Sequence, residues 1–311
     1  MLQYIHTNTH GVQMLKFKSK EQNLLVEAGK LADENSRDFI RGALGLKNKK
    51  VEATRHTILS GPPGVGKTYG TQDECNKAKV KSILIPPGMT DIALTIKLAC
   101  GVYNLKKNEE LVVILDDADD VVFNSYETLN KWKIAMADVD YDQGIIPTFN
   151  HPVSMTNTIT SLQRQADADP KRQGVVDALK AYMPSDSVGV SIPMDRVRFI
   201  VLCNLDLEDP KAFRGKLKSA IGPVLDRVKY KRMNVDWEKQ WGWTAYVLGD
   251  TQPFEGHDLT KEQKTELMGW MYSNWDKLRS TSYRTVRRLA EAMINDPENY
   301  IDQWQQEMKG H

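Results

Sequence analysis

His56-Thr57-Ile58-Leu59-Ser60-Gly61-Pro62-Pro63-Gly64-Val65-Gly66-Lys67-Thr68-Tyr69 is the stretch that decides the fold. A short β-prone apolar run breaks into a glycine-rich loop, and the loop passes through Lys-Thr into a helix-permissive stretch. Gly61, Gly66, Lys67 and Thr68 fall on the spacing G-x-x-x-x-G-K-[ST]. Backbone N–H groups wrap a triphosphate closely only where no side chain intervenes, and a helix N-terminus following the loop favours the anion. Gly61, Gly64 and Gly66 supply that freedom, Pro62 and Pro63 stiffen the entry, and Val65 and Tyr69 complete the stretch expected to line a nucleotide. Lys67 is suited to carry its charge to the β- and γ-phosphates, and the Thr68 hydroxyl to ligate Mg²⁺. The loop therefore calls for ATP and Mg²⁺. A chance match in a glycine-rich turn is the competing reading, and the strand before and helix after the loop argue against it.

Downstream, Leu111-Val112-Val113-Ile114-Leu115 is a continuous apolar run suited to a strand buried on both faces, and it ends in Asp116-Asp117. Beside a phosphate loop, Asp116 at the strand's carboxyl end is placed to hold Mg²⁺ and Asp117 to polarise the attacking water. Acidic residues also end strands as plain turn formers, so it is the combination with the loop that gives the pair meaning. Val197 to Cys203 reads as a further strand with a polar tip, Asn204, suited to the γ-phosphate or the lytic water, the competing reading being an asparagine that starts a turn. The strand Val80–Ile85 and a last strand running from the Gly222-Pro223 turn through Met233 and Val235 bring the sheet to five. Intervening helices are expected over Lys67–Lys79, Thr90–Val102 and Pro210–Ala220.

Ahead of the loop, helical spacing breaks at Asp33-Glu34-Asn35-Ser36 and predicts two helices between Lys20 and Leu46. Residues 138–195 read as an insertion, with extended pieces at Gly144–Phe149 and Val153–Met155 and a helix over Lys171–Tyr182. From Trp237 onward the pattern is helical, with capping-box spacing at Thr260-Lys261-Glu262-Gln263 and six of the seven tryptophans, which read as the core of a small domain. The division is a helical segment over 1–50, an α/β nucleotide-binding domain over 51–236 and a helical lid over 237–311.

Composition narrows the classes. With 311 residues, 41% hydrophobic and 27% charged, the chain is long enough for a globular core. A net charge of +1 gives no global pull toward nucleic acid, so a polyanion surface has to be a local patch. Cys75, Cys100 and Cys203 are odd in number and unpaired in spacing, which suits reduced, buried thiols in a cytoplasmic compartment. No run approaches the ~18 apolar residues of a membrane span, and the N-terminus does not read as a signal peptide.

Taken in order, the loop, Leu115-Asp116-Asp117, Asn204, Asp226-Arg227 and Ser282-Tyr283-Arg284 resemble the motifs of the AAA+ ATPases, over roughly Glu52 to Tyr300. The resemblance implies a P-loop α/β fold with a five-stranded parallel sheet flanked by helices and a C-terminal helical lid. It makes residues 61–68 Walker A, Asp116-Asp117 Walker B and Asn204 sensor 1. Arg227 becomes an arginine finger reaching a neighbouring subunit, and Arg284 becomes sensor 2. It also implies a homo-oligomeric ring, often a hexamer. Arg227 also reads as one end of a surface ion pair, and Arg284, Arg287 and Arg288 as a solvated helix face. Two departures stand out: the usual Walker B ends Asp-Glu where this chain has Asp117, and Ile85-Pro86-Pro87-Gly88-Met89-Thr90 lacks the pore aromatic of protein-threading relatives. The insertion ahead of Asn204 resembles in position one carried by DNA-handling branches, so the type implied is DNA-handling or phage-encoded. The leading expectation is an ATPase (ATP and water to ADP and phosphate) driving remodelling or movement on nucleic acid in replication, recombination or packaging. The alternatives are a MoxR-like or other chaperone with a protein client, and an ATP-gated scaffold that hydrolyses slowly.

Overall fold

A computed structural model describes residues 14–45, 55–136, 152–183, 190–209 and 211–308. The chain packs as two compact units. One contains the stretch ending at Asp38, the loop Gly61–Lys67 and everything from Met233 on; the other contains Phe39–Ser60 and Thr68–Arg232. Packing groups the loop Gly61–Lys67 with the C-terminal helices.

The second unit is an α/β layer structure, a five-stranded parallel sheet flanked by helices. Its strands are β1 (His56–Ser60), β2 (Lys81–Ile85), β3 (Leu111–Leu115), β4 (Val197–Cys203) and β5 (Val228–Arg232). All pairings are parallel, in the order β2-β3-β4-β1-β5. Every residue of β1, β3 and β4 is buried, as their apolar runs require of strands covered on both faces. The edge strand β5 instead carries Lys229, Lys231 and Arg232, charges that discourage a further strand from pairing. The connection from β1 crosses to the far edge at β2, while β4 connects over β1 to β5, so the winding reverses beside β1. In such sheets the carboxyl ends of the strands at the reversal form the ligand crevice. Ser60 pairs with Cys203 and Leu115 with Val201, which brings the ends of β1, β4 and β3 into one row.

Around the sheet pack α2 (Lys67–Lys77), α3 (Asp91–Tyr103), the short α4 (Asp119–Val122), α5 (Tyr126–Ala135), α6 (Pro152–Ala168), α7 (Gln173–Ala181) and α8 (Gly215–Leu225). Their core includes Ile58, Leu98, Val113, Leu129, Leu179 and Val201, with Trp132 edge-on to Phe199 at 5.4 Å between ring centroids. Cys75 and Cys203 are buried, and burial pushes the Cys75 thiol up to about 11, so it behaves as an apolar group.

The other unit holds α9 (Trp237–Asp250), α10 (Lys261–Ser273), α11 (Tyr283–Asn295) and α12 (Tyr300–Gln306), together with the first part of a helix α1 (Lys20–Ala43). Leu15, Val26, Trp241, Leu267, Met271, Leu289 and Trp304 form its core. α1 and α9 approach so closely that a Cβ on Gly242 lies 2.0 Å from the Leu25 carbonyl oxygen. The Thr260–Gln263 capping box forms with both of its hydrogen bonds. The tryptophans are divided: Trp241, Trp243 and Trp304 are buried, while Trp237 stacks on Trp275, which is 40% exposed. No described helix is long and apolar enough to cross a membrane.

Four sequence expectations are corrected. α1 runs unbroken through Asp33-Glu34-Asn35-Ser36, because Asp33 points inward to accept from the Trp243 indole and Arg37, and Ser36 is buried against Met233. Val153–Met155 lies in α6 and is helical. α8 begins at Gly215 and continues through Gly222-Pro223 to Leu225. Pro223 sits near its C-terminal end, where one missing N–H costs a single bond. Consequently β5 starts at Val228 and ends before Met233. The extended piece expected at Gly144–Phe149 lies outside the described residues.

Candidate nucleotide site

The loop Gly61–Lys67 is built around left-handed turns at Gly64 (φ 80°) and Gly66 (φ 77°), conformations that cost a residue bearing a Cβ about 1–2 kcal/mol. Packing adds a second constraint. A Cβ on Gly64 meets Ser282 Cβ at 2.5 Å, and one on Gly66 meets the Trp243 ring at 2.3 Å. Gln240 Nε2 donates to the Pro63 carbonyl (3.1 Å) and accepts through Oε1 from the Thr281 hydroxyl (3.1 Å). The loop is therefore seated on α9 and the residues that open α11. Lys67, only 7% exposed, turns its ammonium back onto the loop, donating to the carbonyls of Gly61 (2.6 Å) and Pro62 (3.0 Å). Val65 is buried in the packing and Tyr69 is exposed.

One residue along α2, Thr68 Oγ1 donates to Asp116 Oδ1 at 2.6 Å. The same carboxylate oxygen accepts from the Asp117 N–H at 3.1 Å. A hydroxyl and a carboxylate are hard oxygen donors, and Mg²⁺ is held by one or two such protein groups with phosphate and water completing its shell. The pair fits that ion, each oxygen already turned toward the other. Among the described residues no group of three His, Cys, Asp or Glu side chains offers an all-protein cage.

Asp117 has φ 44°, a left-handed conformation that ends β3 abruptly and leaves its side chain exposed. The turn is held by the Ala118 N–H, which donates to the Leu202 carbonyl on β4 at 2.8 Å. Asn204, at the tip of β4, donates from Nδ2 to Asp119 Oδ2 (2.7 Å) and, at longer range, to Asp117 Oδ1 (3.4 Å). Thr68, Asp116, Asp117 and Asn204 thus converge at the carboxyl ends of β3 and β4. Asp119 was not singled out by sequence reasoning, although a third carboxylate in Asp116-Asp117-Ala118-Asp119 was its signal. No local motif marks Gln240 and Trp243, and Ser282 entered the sequence reading only as the start of Ser282-Tyr283-Arg284, not as a neighbour of the loop.

The arginines separate by their commitments. Arg287 lies over the Phe254 ring at 4.9 Å and Arg288 pairs with Glu307 at 2.8 Å. Arg284 is exposed and has no hydrogen-bond or ion-pair partner among the described residues. Arg227 is half-buried and donates to the Pro223 carbonyl at the end of α8. Arg214, ahead of α8, is exposed.

No family model matches the chain. It is 22% identical over 244 residues to the "Uncharacterized 36.7 kDa protein in nrdC-mobD intergenic region" of Enterobacteria phage T4, covering 78% of this chain and 64% of that protein's length. Among solved structures it is similar to Cdc6p from Pyrobaculum aerophilum, with a TM-score of 0.43 and 10% identity over 97% of this chain and 71% of that one.

Proposed function

We propose that this chain binds Mg-ATP and hydrolyses it within a ring of identical subunits, and that turnover drives remodelling or movement on nucleic acid. The observation that carries the reading is the Thr68–Asp116 hydrogen bond, which joins the helix after the phosphate loop to the acidic end of β3. Thr68 and Asp116 hold Mg²⁺, whose charge offsets that of the β- and γ-phosphates. Lys67 leaves its loop carbonyls for those phosphates, Asn204 orients the lytic water or the γ-phosphate, and Asp117 polarises that water. Arg284, uncommitted where its neighbours are paired, serves the same nucleotide, and Arg227 serves that of the adjacent subunit. Lys211, Arg214, Lys216 and Lys218 are exposed and form no ion pair among the described residues, the kind of local patch a polyanion track needs.

A second reading, an ATP-gated scaffold with slow hydrolysis, draws on Asp117, which is one methylene shorter than the usual glutamate and lies beside the Asn204 amide. ATP turnover with and without single- and double-stranded DNA, with oligomer size measured in the same nucleotide states, separates the two. The first reading expects assembly with ATP and DNA-stimulated turnover. Assembly without turnover supports the scaffold, and stimulation by a protein client in place of DNA supports a chaperone.

A further inference from the structure

We propose that Asp119 is a positioning residue that fixes which face of the Asn204 carboxamide is presented to the nucleotide, an inference that rests on the ATPase reading above. Asp119 opens α4 directly after the Asp116-Asp117-Ala118 turn, and its half-buried carboxylate gathers the tip of β4. Oδ1 accepts from the backbone N–H of Asn204 (2.9 Å) and of Leu205 (3.2 Å), while Oδ2 accepts from Asn204 Nδ2 at 2.7 Å and lies 3.2 Å from the Asn204 N–H.

This arrangement dictates the orientation of the amide. An asparagine presents either its NH₂ or its carbonyl oxygen, and against an ionised carboxylate only the NH₂ is attractive. One amide hydrogen is therefore committed to Asp119 by a short, charge-assisted bond. The other points toward Asp117 Oδ1, 3.4 Å away, too long for a strong bond. On nucleotide binding it exchanges that long contact for a γ-phosphoryl oxygen or the lytic water. Without the Asp119 charge the amide flips freely, and in half its orientations it turns an oxygen toward the anionic phosphate. In this proposal Asp119 acts through Asn204, which its carboxylate holds.

The test compares Asp119→Asn, Asn204→Ala and the double variant, measuring the Kd for a fluorescent ATP analogue with Mg²⁺, kcat, and the side-chain ¹H–¹⁵N signal of Asn204, identified by its loss in Asn204→Ala. Asp119→Asn is expected to bind within about threefold of wild type and to lose about 10- to 100-fold in kcat, the worth of one bond to a charged group. It should cost little more in the Asn204→Ala background, because residues acting as a unit are not additive. The Asn204 amide signal should shift in Asp119→Asn even without nucleotide. Wild-type kcat, multiplicative losses or an unmoved amide signal overturns the proposal. If the wild-type protein does not hydrolyse ATP, the ATPase reading fails by itself, and the amide signal still decides whether Asp119 sets the carboxamide. If Asp119→Asn does not fold, Asp119→Glu takes its place: it keeps the charge but displaces the amide, and it should lower kcat with Kd retained.

Discussion

Removing the Lys67 ammonium measures how much of nucleotide affinity rests on the loop's own cation. In the nucleotide-free protein that ammonium is already satisfied by the Gly61 and Pro62 carbonyls at 2.6 and 3.0 Å, so its transfer to phosphate exchanges bonds to neutral acceptors for bonds to a charged one. The net gain is then close to one charge-assisted hydrogen bond, about 1.5–3 kcal/mol. At 1.4 kcal/mol per decade, Lys67→Ala should weaken Mg-ATP binding roughly 10- to 150-fold. The same substitution strips a donor from two loop carbonyls, and because Gly61 is buried it should cost about 1 kcal/mol of stability. Equilibrium titration with a fluorescent ATP analogue, paired with thermal unfolding of the nucleotide-free protein, reads both terms. A variant with a lowered unfolding midpoint and an affinity within twofold of wild type refutes the reasoning, since Lys67 then only staples the loop.

Asp117→Asn should trap ATP without turnover, and Asp117→Glu should keep or raise it; normal hydrolysis by Asp117→Asn, followed by phosphate release, moves the water-activating role elsewhere. Arg227→Ala should bind ATP nearly normally and lose turnover by about 10³ or more, the scale of arginine fingers. Once mixed rings with Lys67→Ala subunits are shown to form, hydrolysis should partly return; if it does not, Arg227 acts within its own subunit or structurally, and the exposed Arg214 is the next candidate. Two helical glycines should respond with opposite signs in thermal unfolding. Gly269→Ala in α10, with nothing within 4 Å of the added methyl, should stabilise by roughly 0.5–1 kcal/mol, while Gly242→Ala, with its Cβ 2.0 Å from the Leu25 carbonyl, should destabilise by about 1–3 kcal/mol or more.

The central strands β3 and β4 were legible because they are short, nearly continuous apolar runs, and only burial on both sides suits such runs. The helix boundaries were less so. Asp33-Glu34-Asn35-Ser36 has the composition of a break, yet the acid that makes it look solvated is turned inward, where it accepts from the Trp243 indole and pairs with Arg37. Gly222-Pro223 has the composition of a turn, yet α8 runs through it. In both cases local propensity was overridden by a partner that lies far along the chain or by position within the helix.

The candidate site divides in the same way. A phosphate loop is readable from eight residues because the chemistry acts on consecutive backbone amides, and no distant residue is needed to recognise it. The carboxylates after β3 are readable because a strand end fixes their direction. What seats these groups has no local spelling. Gly66 reads as a glycine kept for phosphate approach, but the Trp243 ring 2.3 Å from where its Cβ would sit excludes a side chain whether or not a nucleotide is bound. Asp119 reads as one more acid in a turn until the tip of β4 is brought alongside and three N–H groups are found aimed at it. The groups proposed to meet phosphate or metal are thus written in motifs. The groups that hold them in place are distributed over α9, the start of α11 and the β3–β4 pairing, where only the folded chain reveals them.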